Sequence, residues 1–116
     1  MNKKKLEKIA EFFNKQKGQK YPCSNQIVKC VVITQDRDKA LSIMKDKGAS
    51  LIMRGKDYLE WELNNEKWRW YSYWGYSRRG DRFYKVIFDK NINLTEDEFE
   101  FCVARCANYC CSFEVI

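Results

Sequence analysis

Residues 26–53 read QIVKCVVITQDRDKALSIMKDKGASLIM, and this stretch decides the fold class. Residues 26–33 are β-branched and apolar, which predicts a buried strand. An amphipathic run follows, with Thr34 or Asp36 as the expected N-cap, and it predicts a helix. Residues 49–53 are apolar again and predict a second strand. A strand–helix–strand unit usually pairs its two strands in parallel, so we expect an α/β domain.

The next part of the chain predicts an antiparallel hairpin that is rich in aromatic residues. Residues 58–63 alternate Tyr and Glu with Leu and Trp, which is typical of a half-exposed strand. Asn64 and Asn65 supply turn chemistry. Residues 67–74 then place three Trp side chains on one face and charged or Tyr side chains on the other.

The remaining elements complete a mixed sheet. Residues 2–16 have the spacing of an amphipathic helix, and residues 83–88 and 111–116 are typical of strands. Thr95 and Glu98 form a capping box that begins a third helix. The predicted order is α-β-α-β-β-β-β-α-β, with five or six strands and about three helices. An α+β arrangement stays open.

Length and composition favour one domain. The chain has 116 residues, which is enough for a single core. An apolar fraction of 45% with 16% aromatic residues excludes a disordered chain. We predict one domain over residues 1–116, with a basic helix in 1–20 and the α/β core in 26–116. The apolar runs are too short for a membrane span, so no contact with a membrane is expected.

The cysteines bear on the cellular compartment. The six are Cys23, Cys30, Cys102, Cys106, Cys110 and Cys111. Three of them recur at every fourth residue, which stacks them on one helix face. We expect reduced thiols packed in the core and hence a cytoplasmic protein, with a disulfide framework or a metal site as alternatives. Neither C-x-x-C pairs nor histidine is present to favour a metal.

The net charge of +6 is unevenly distributed. Residues 1–20 and 67–85 each carry a net charge of +5, whereas residues 86–116 carry −4. Such asymmetry favours attraction to polyanions or to a protein groove of opposite charge. Lysines on a solvated helix face explain the first basic block equally well.

The second basic block overlaps the aromatic hairpin and provides our candidate interaction residues. Aromatic rings beside basic side chains suit base stacking with phosphate neutralisation, and the same residue types dominate protein interfaces. Coverage of a helix or a bent sheet inside the fold is the third interpretation. The candidates are Lys67, Arg69, Trp70, Tyr71, Tyr73, Trp74, Arg78, Arg79 and Arg82.

A second candidate surface is acidic and begins the third helix. It comprises Glu96, Asp97, Glu98 and Glu100. An acidic patch can occupy a protein groove meant for DNA or RNA, and desolvated charge pairs there give speed and specificity. Acids at a helix N-terminus also have a simpler explanation, because they stabilise the helix dipole.

Residues 83–89 form an apolar strand that ends in Asp89 and follows an Arg-Gly pair. Together with the strand and helix start around residues 31–34, this segment resembles the cores of phage terminase and helicase ATPases, in which such an acid holds Mg²⁺ against phosphates. The Walker A pattern G-x-x-x-x-G-K-[ST] is absent, and Lys90 stands where the family places Glu. The resemblance therefore implies ATPase ancestry or mimicry without ATP hydrolysis.

No enzyme chemistry, cofactor or metal is expected. The chain has no histidine, which removes Ser-His-Asp and Cys-His catalysis. The remaining enzyme hypothesis is a metal-dependent nuclease that uses Asp89, or Glu60 with Glu62.

A small basic chain with a stripped ATPase-like core is typical of mobile elements. In its size and lack of catalytic motifs it is similar to the anti-CRISPR proteins of phages. We therefore expect a non-catalytic inhibitor that binds a host protein or ribonucleoprotein complex of nucleic-acid metabolism. The alternative is a nucleic-acid-binding accessory protein in packaging, replication or recombination. In that case DNA or RNA phosphates would contact Lys3, Lys4, Lys5, Arg78, Arg79 and Arg82.

Overall fold

The computed structural model describes residues 3–15, 27–72, 83–104 and 112–116. The helices are α1 (Lys3–Asn14), α2 (Arg37–Asp46) and α3 (Glu96–Ala104). The strands are β1 (Val28–Ile33), β2 (Ser50–Arg54), β3 (Tyr58–Leu63), β4 (Glu66–Tyr71), β5 (Lys85–Phe88) and β6 (Ser112–Val115). Their succession along the chain confirms the predicted order of helices and strands.

The six strands form one mixed sheet in the order β2-β3-β4-β1-β5-β6. β1 lies between β4 and β5 and runs parallel to both. β6 extends the parallel part beyond β5, whereas β2, β3 and β4 pair antiparallel. The α/β class and the mixed sheet are thus confirmed.

β1 is central because its sequence suits burial on both faces. Residues 30–33 are at most 2% exposed. β-branched side chains pack well on a pleated surface, and a run without polar residues, such as residues 30–33, can be covered from both sides. In the sheet register, Val32 pairs with Trp70 on one side and with Ile87 on the other.

β1 and β2 are not neighbours, which differs from the usual pairing in a strand–helix–strand unit. They run in the same direction, but β3 and β4 lie between them. β4 takes the place beside β1 because Trp68 and Trp70 pack there with Ala40 and Met44 of α2. β2 is consequently left at the edge of the sheet.

The predicted aromatic hairpin is confirmed as β3 and β4. Asn64 in its turn has a φ of 55°, a left-handed conformation that Asn tolerates better than most residues. The register pairs Trp61 with Trp68 and Leu59 with Trp70. All four side chains belong to the apolar core beneath α2.

The sheet has a different core on each face. α2 covers one face, called the α2 face below, on which Cys30 and Val32 of β1 lie. α1 and α3 pack on the opposite face, where Val31 and Ile33 lie. β1 therefore contributes to both cores, as do its neighbours β4 and β5, and these central strands connect the three helices.

Local hydrogen bonds fix the starts of two helices. Asp36 is the N-cap of α2, and its carboxylate accepts hydrogen bonds from the backbone N–H groups of Asp38 (3.0 Å) and Lys39 (3.2 Å). Thr95 and Glu98 exchange hydrogen bonds of 3.2 Å, which confirms the predicted capping box of α3. Within the described ranges, no helix is long and apolar enough to cross a membrane.

Two of the six cysteines lie in the described parts of the chain. Cys30 on β1 is fully buried, and Cys102 on α3 is 2% exposed. Both pack among apolar side chains, one in each core, which confirms the predicted packing for these two. The other four cysteines lie outside the described residues.

Candidate functional site

The structure buries two of the predicted interface residues. Trp70 and Tyr71 are each 2% exposed. The indole N–H of Trp70 donates a hydrogen bond of 2.7 Å to the backbone oxygen of Thr34, and the ring centroid of Tyr71 lies 5.2 Å from that of Tyr58. β4 is an interior strand, and these two rings belong to the two apolar cores, so they stabilise the fold and offer no surface for stacking.

The structure describes two of the other seven candidates of the second basic block. Lys67 and Arg69 lie on β4 with side chains that are 28% and 20% exposed. Five candidates lie outside the described residues, so their role in binding stays a prediction. These five are Tyr73, Trp74, Arg78, Arg79 and Arg82.

A buried carboxylate pairs with the two basic residues of β4. Glu60 on β3 is only 8% exposed. Its Oε2 lies 3.8 Å from Nζ of Lys67, and its Oε1 lies 3.4 Å from Nε of Arg69. Oε1 also accepts a hydrogen bond from the hydroxyl of Tyr58, and burial together with this bond raises the pKa of Tyr58 above its ordinary value. The positive charge of this strand face is therefore partly compensated inside the fold.

The two glutamates of the nuclease hypothesis occupy different environments. Glu60 is buried against cations, whereas Glu62 is exposed and lies opposite Lys67 in the sheet register. A divalent metal at Glu60 would have to displace Lys67 and Arg69 from its carboxylate. In the part of the chain that the structure describes, no group of three His, Cys, Asp or Glu residues could hold a metal ion.

The acidic patch on α3 is partly neutralised by α1. Nζ of Lys5 lies 3.3 Å from a carboxylate oxygen of Glu96 and 3.7 Å from one of Glu100. Glu98 is engaged in the helix cap, and Asp97 is exposed. These exposed pairs are individually weak, but they lower the net negative charge that the patch presents to a partner.

Asp89 lies at the carboxyl end of β5, beside the residue that follows β1. Its carboxylate is 5% exposed and accepts a hydrogen bond of 2.8 Å from the hydroxyl of Thr34. Its other oxygen accepts a hydrogen bond from the backbone N–H of Asn91 and lies 3.0 Å from Nζ of Lys39. Burial alone would raise the pKa of Asp89, but the hydrogen bonds and the Lys39 charge outweigh it and lower the pKa below its ordinary value.

This position is the crevice at which open α/β sheets commonly bind ligands. α2 leaves β1 toward one face and α3 leaves β5 toward the other, so the two loops diverge there. In this chain the loops are tied together. The side-chain amide of Gln35 donates to the backbone oxygen of Asn93 (3.1 Å) and accepts from its N–H (3.2 Å). Asp89 adds an ionic link to Lys39 at the start of α2. The ATPase resemblance that first singled out Asp89 stays a prediction.

The strand predicted over residues 49–53 is β2, and as an edge strand it exposes a row of large apolar side chains. Leu51, Ile52 and Met53, together called the β2 patch, are 38%, 45% and 52% exposed. All five residues of β2 are exposed, because β3 is its one neighbour among the described strands and no described helix covers it. The one feature of the sequence that could have indicated this patch is that residues 49–53 contain no large polar residue.

Comparison of the chain with protein-family models, with curated proteins and with solved structures found no match. Inference of a function therefore rests on the geometry of the chain's own residues.

Replacing Asp89 by Asn is expected to lower the free energy of unfolding by about 2 kcal/mol at pH 7, because charge-assisted hydrogen bonds to a buried carboxylate are lost. The pKa of Asp89 is lower in the folded chain than in the unfolded one. Its stabilisation is therefore complete above about pH 5 and is lost as the pH falls through about 4 and below. Urea unfolding at a series of pH values measures the gap between the two proteins.

The matched control is Asp97→Asn, which changes an exposed carboxylate and should alter stability by less than about 0.5 kcal/mol. A gap between wild type and Asp89→Asn that stayed constant from neutral to strongly acid pH would contradict the role assigned to the ionised carboxylate.

Glu60→Gln is expected to destabilise the fold by about 2 kcal/mol, because Lys67 and Arg69 lose the charge that compensates them in a half-buried site. Glu62→Gln on the same strand should cost less than about 0.5 kcal/mol, because Glu62 is exposed to water. Thermal and urea unfolding of the two variants give the comparison. Equal effects of the two substitutions would refute the internal compensation of charge on β4.

Proposed function

We propose that the chain is a non-catalytic protein that binds and inhibits a host protein or ribonucleoprotein complex of nucleic-acid metabolism. It would act in the cytoplasm in the manner of phage anti-defence proteins such as anti-CRISPR proteins. The observation that supports this proposal is the β2 patch. The register pairs Leu51 with Trp61 and Met53 with Glu60, so these apolar side chains lie on both faces of the sheet edge. Large apolar side chains exposed at an uncovered edge cost free energy in water, and in small proteins they commonly mark an interaction site.

Binding through the side chains of the β2 patch fits the structure better than the addition of a partner strand to the edge of β2. The pairing of β2 with β3 shifts register between Leu51 and Met53, which interrupts the regular ladder. A bulge on an edge strand twists the edge and opposes pairing with another strand. Binding through apolar side chains that enter pockets of a partner is compatible with the bulge, and such buried anchors carry most of the energy in protein interfaces.

The charges beside the β2 patch indicate the kind of partner. Arg54 and Lys56 are exposed at the end of the strand. These two cations at one end of an apolar strand are complementary to an acidic protein surface or to the phosphates of a ribonucleoprotein, although the exposed Asp57 beside them offsets part of their charge. The acidic patch on α3, in contrast, is partly neutralised by Lys5, which weakens it as a mimic of nucleic acid.

A nucleic-acid-binding accessory protein is the second candidate, and one observation on α1 favours it. Phe12 is 62% exposed and stands one helical turn after Lys8, which is also exposed. An exposed ring beside a cation can stack on a base while the cation contacts phosphate. The structure thus offers two separate surfaces, and variants of each can tell the two functions apart.

Ile52→Glu is expected to abolish binding to the protein partner, because a carboxylate would be desolvated at the centre of the apolar contact. Phe12→Glu is the matched control, since it places the same charge at an exposed apolar residue on α1. The tagged full chain and both variants are used to capture partners from nuclease-treated bacterial extract. The captured proteins are then purified and titrated against all three chains. Enzymes of nucleic-acid metabolism that bind wild type and Phe12→Glu, but not Ile52→Glu, would support the proposal.

The accessory-protein function predicts a different pattern. Fluorescence anisotropy with labelled DNA and RNA at about 50 and 200 mM salt would then show binding that weakens steeply with salt. That binding would be lost in Phe12→Glu and kept in Ile52→Glu. Such a result, with no protein partner that depends on Ile52, would overturn the inhibitor proposal.

A further inference from the structure

A pocket of about 390 Å³ lies on the α2 face of the sheet, away from the β2 patch. It lies beside the C-terminal end of α2, where Lys47 follows the helix. Trp68 of β4 and Ile87 of β5 supply apolar parts of its wall. A volume of this size falls in the range of about 300–1,000 Å³ that is typical of pockets for small molecules.

Charged side chains of both signs line this pocket. Nζ of Lys47 lies 3.6 Å from a carboxylate oxygen of Glu114, and these side chains are 36% and 53% exposed. Deeper in the wall, Lys85 pairs with Glu66, whose second oxygen accepts a hydrogen bond of 2.9 Å from the indole N–H of Trp68. The inner pair is held by the indole, whereas the outer pair is long and open to water, so the outer pair can separate at little cost.

We propose that this pocket binds a small zwitterion with an apolar side group, such as an aromatic α-amino acid. The carboxylate of the ligand pairs with Lys47 and its ammonium group pairs with Glu114, so two ligand–protein pairs replace one pair within the protein. The apolar side group of the ligand contacts the half-buried Leu63 of the pocket wall and the small exposed parts of Trp68 and Ile87. This inference is independent of the protein-binding function proposed above and uses none of its residues.

The balance of charge in the pocket selects this class of ligand. A purely anionic ligand gains the attraction of Lys47 but separates it from Glu114, whose carboxylate then faces a like charge. A purely cationic ligand meets the reverse problem at Lys47. A zwitterion leaves neither member of the outer pair without a partner, so no uncompensated charge is desolvated.

The test compares three compounds that share one aromatic side group and differ in charge. They are L-phenylalanine (zwitterion), L-phenylalaninamide (cation) and N-acetyl-L-phenylalanine (anion). Each is titrated into the ¹⁵N-labelled full chain while the assigned indole N–H resonance of Trp68 is followed. We expect a saturable shift with L-phenylalanine in the millimolar range, and binding at least about tenfold weaker for the other two.

Two variants on exposed side chains test the assigned contacts without disturbing the core. Lys47→Met and Glu114→Gln should each weaken binding of L-phenylalanine by about tenfold, since each removes one charge-assisted contact. Lys90→Met, on an exposed lysine outside the pocket, should bind like wild type. The proposal is overturned by no saturable shift with L-phenylalanine, by equal affinity for all three compounds, or by unchanged affinity in Lys47→Met and Glu114→Gln.

Discussion

The burial of β1 between two parallel strands and two apolar cores is the constraint on which the rest of the structure depends. Its residues 30–33 are almost fully buried, and they contact α2 on one face and the α1 and α3 layer on the other. The end of β1 also organises the polar contacts of the fold. The hydroxyl of Thr34 binds Asp89, and its backbone oxygen accepts the indole N–H of Trp70. α2, the β3–β4 hairpin and β5 therefore meet at the end of β1.

Charge compensation within the fold determines which surfaces remain for a partner. The basic residues of β4 surround Glu60, Lys5 reaches the acids of α3, and Lys39 pairs with Asp89. A net charge of +6 therefore does not produce one continuous basic surface across the described residues. The apolar β2 patch has no such compensation, since neither core extends to it. This contrast is the basis of the proposal that the chain binds a partner through apolar contacts.

Local features could be predicted from the sequence, and long-range ones could not. Asp36 and Thr95 cap their helices with groups only two or three residues away, so their spacing predicts the outcome. The parallel pairing of β1 with β4 joins residues far apart in the chain, and no local pattern encodes it. For the same reason the sequence does not predict that Trp70 is buried and the β2 patch exposed. Whether an aromatic or apolar strand is buried depends on which strand lies beside it.

Native-state hydrogen exchange tests the central role of β1 most directly. The amides of residues 31–33 should exchange only through global unfolding, with a free energy equal to that from urea unfolding. The amides of β2, at the open edge, should exchange through local opening at a much lower free energy. Exchange of β1 that is as fast as that of β2, or independent of urea, would show that β1 does not hold the two cores together and would contradict the account.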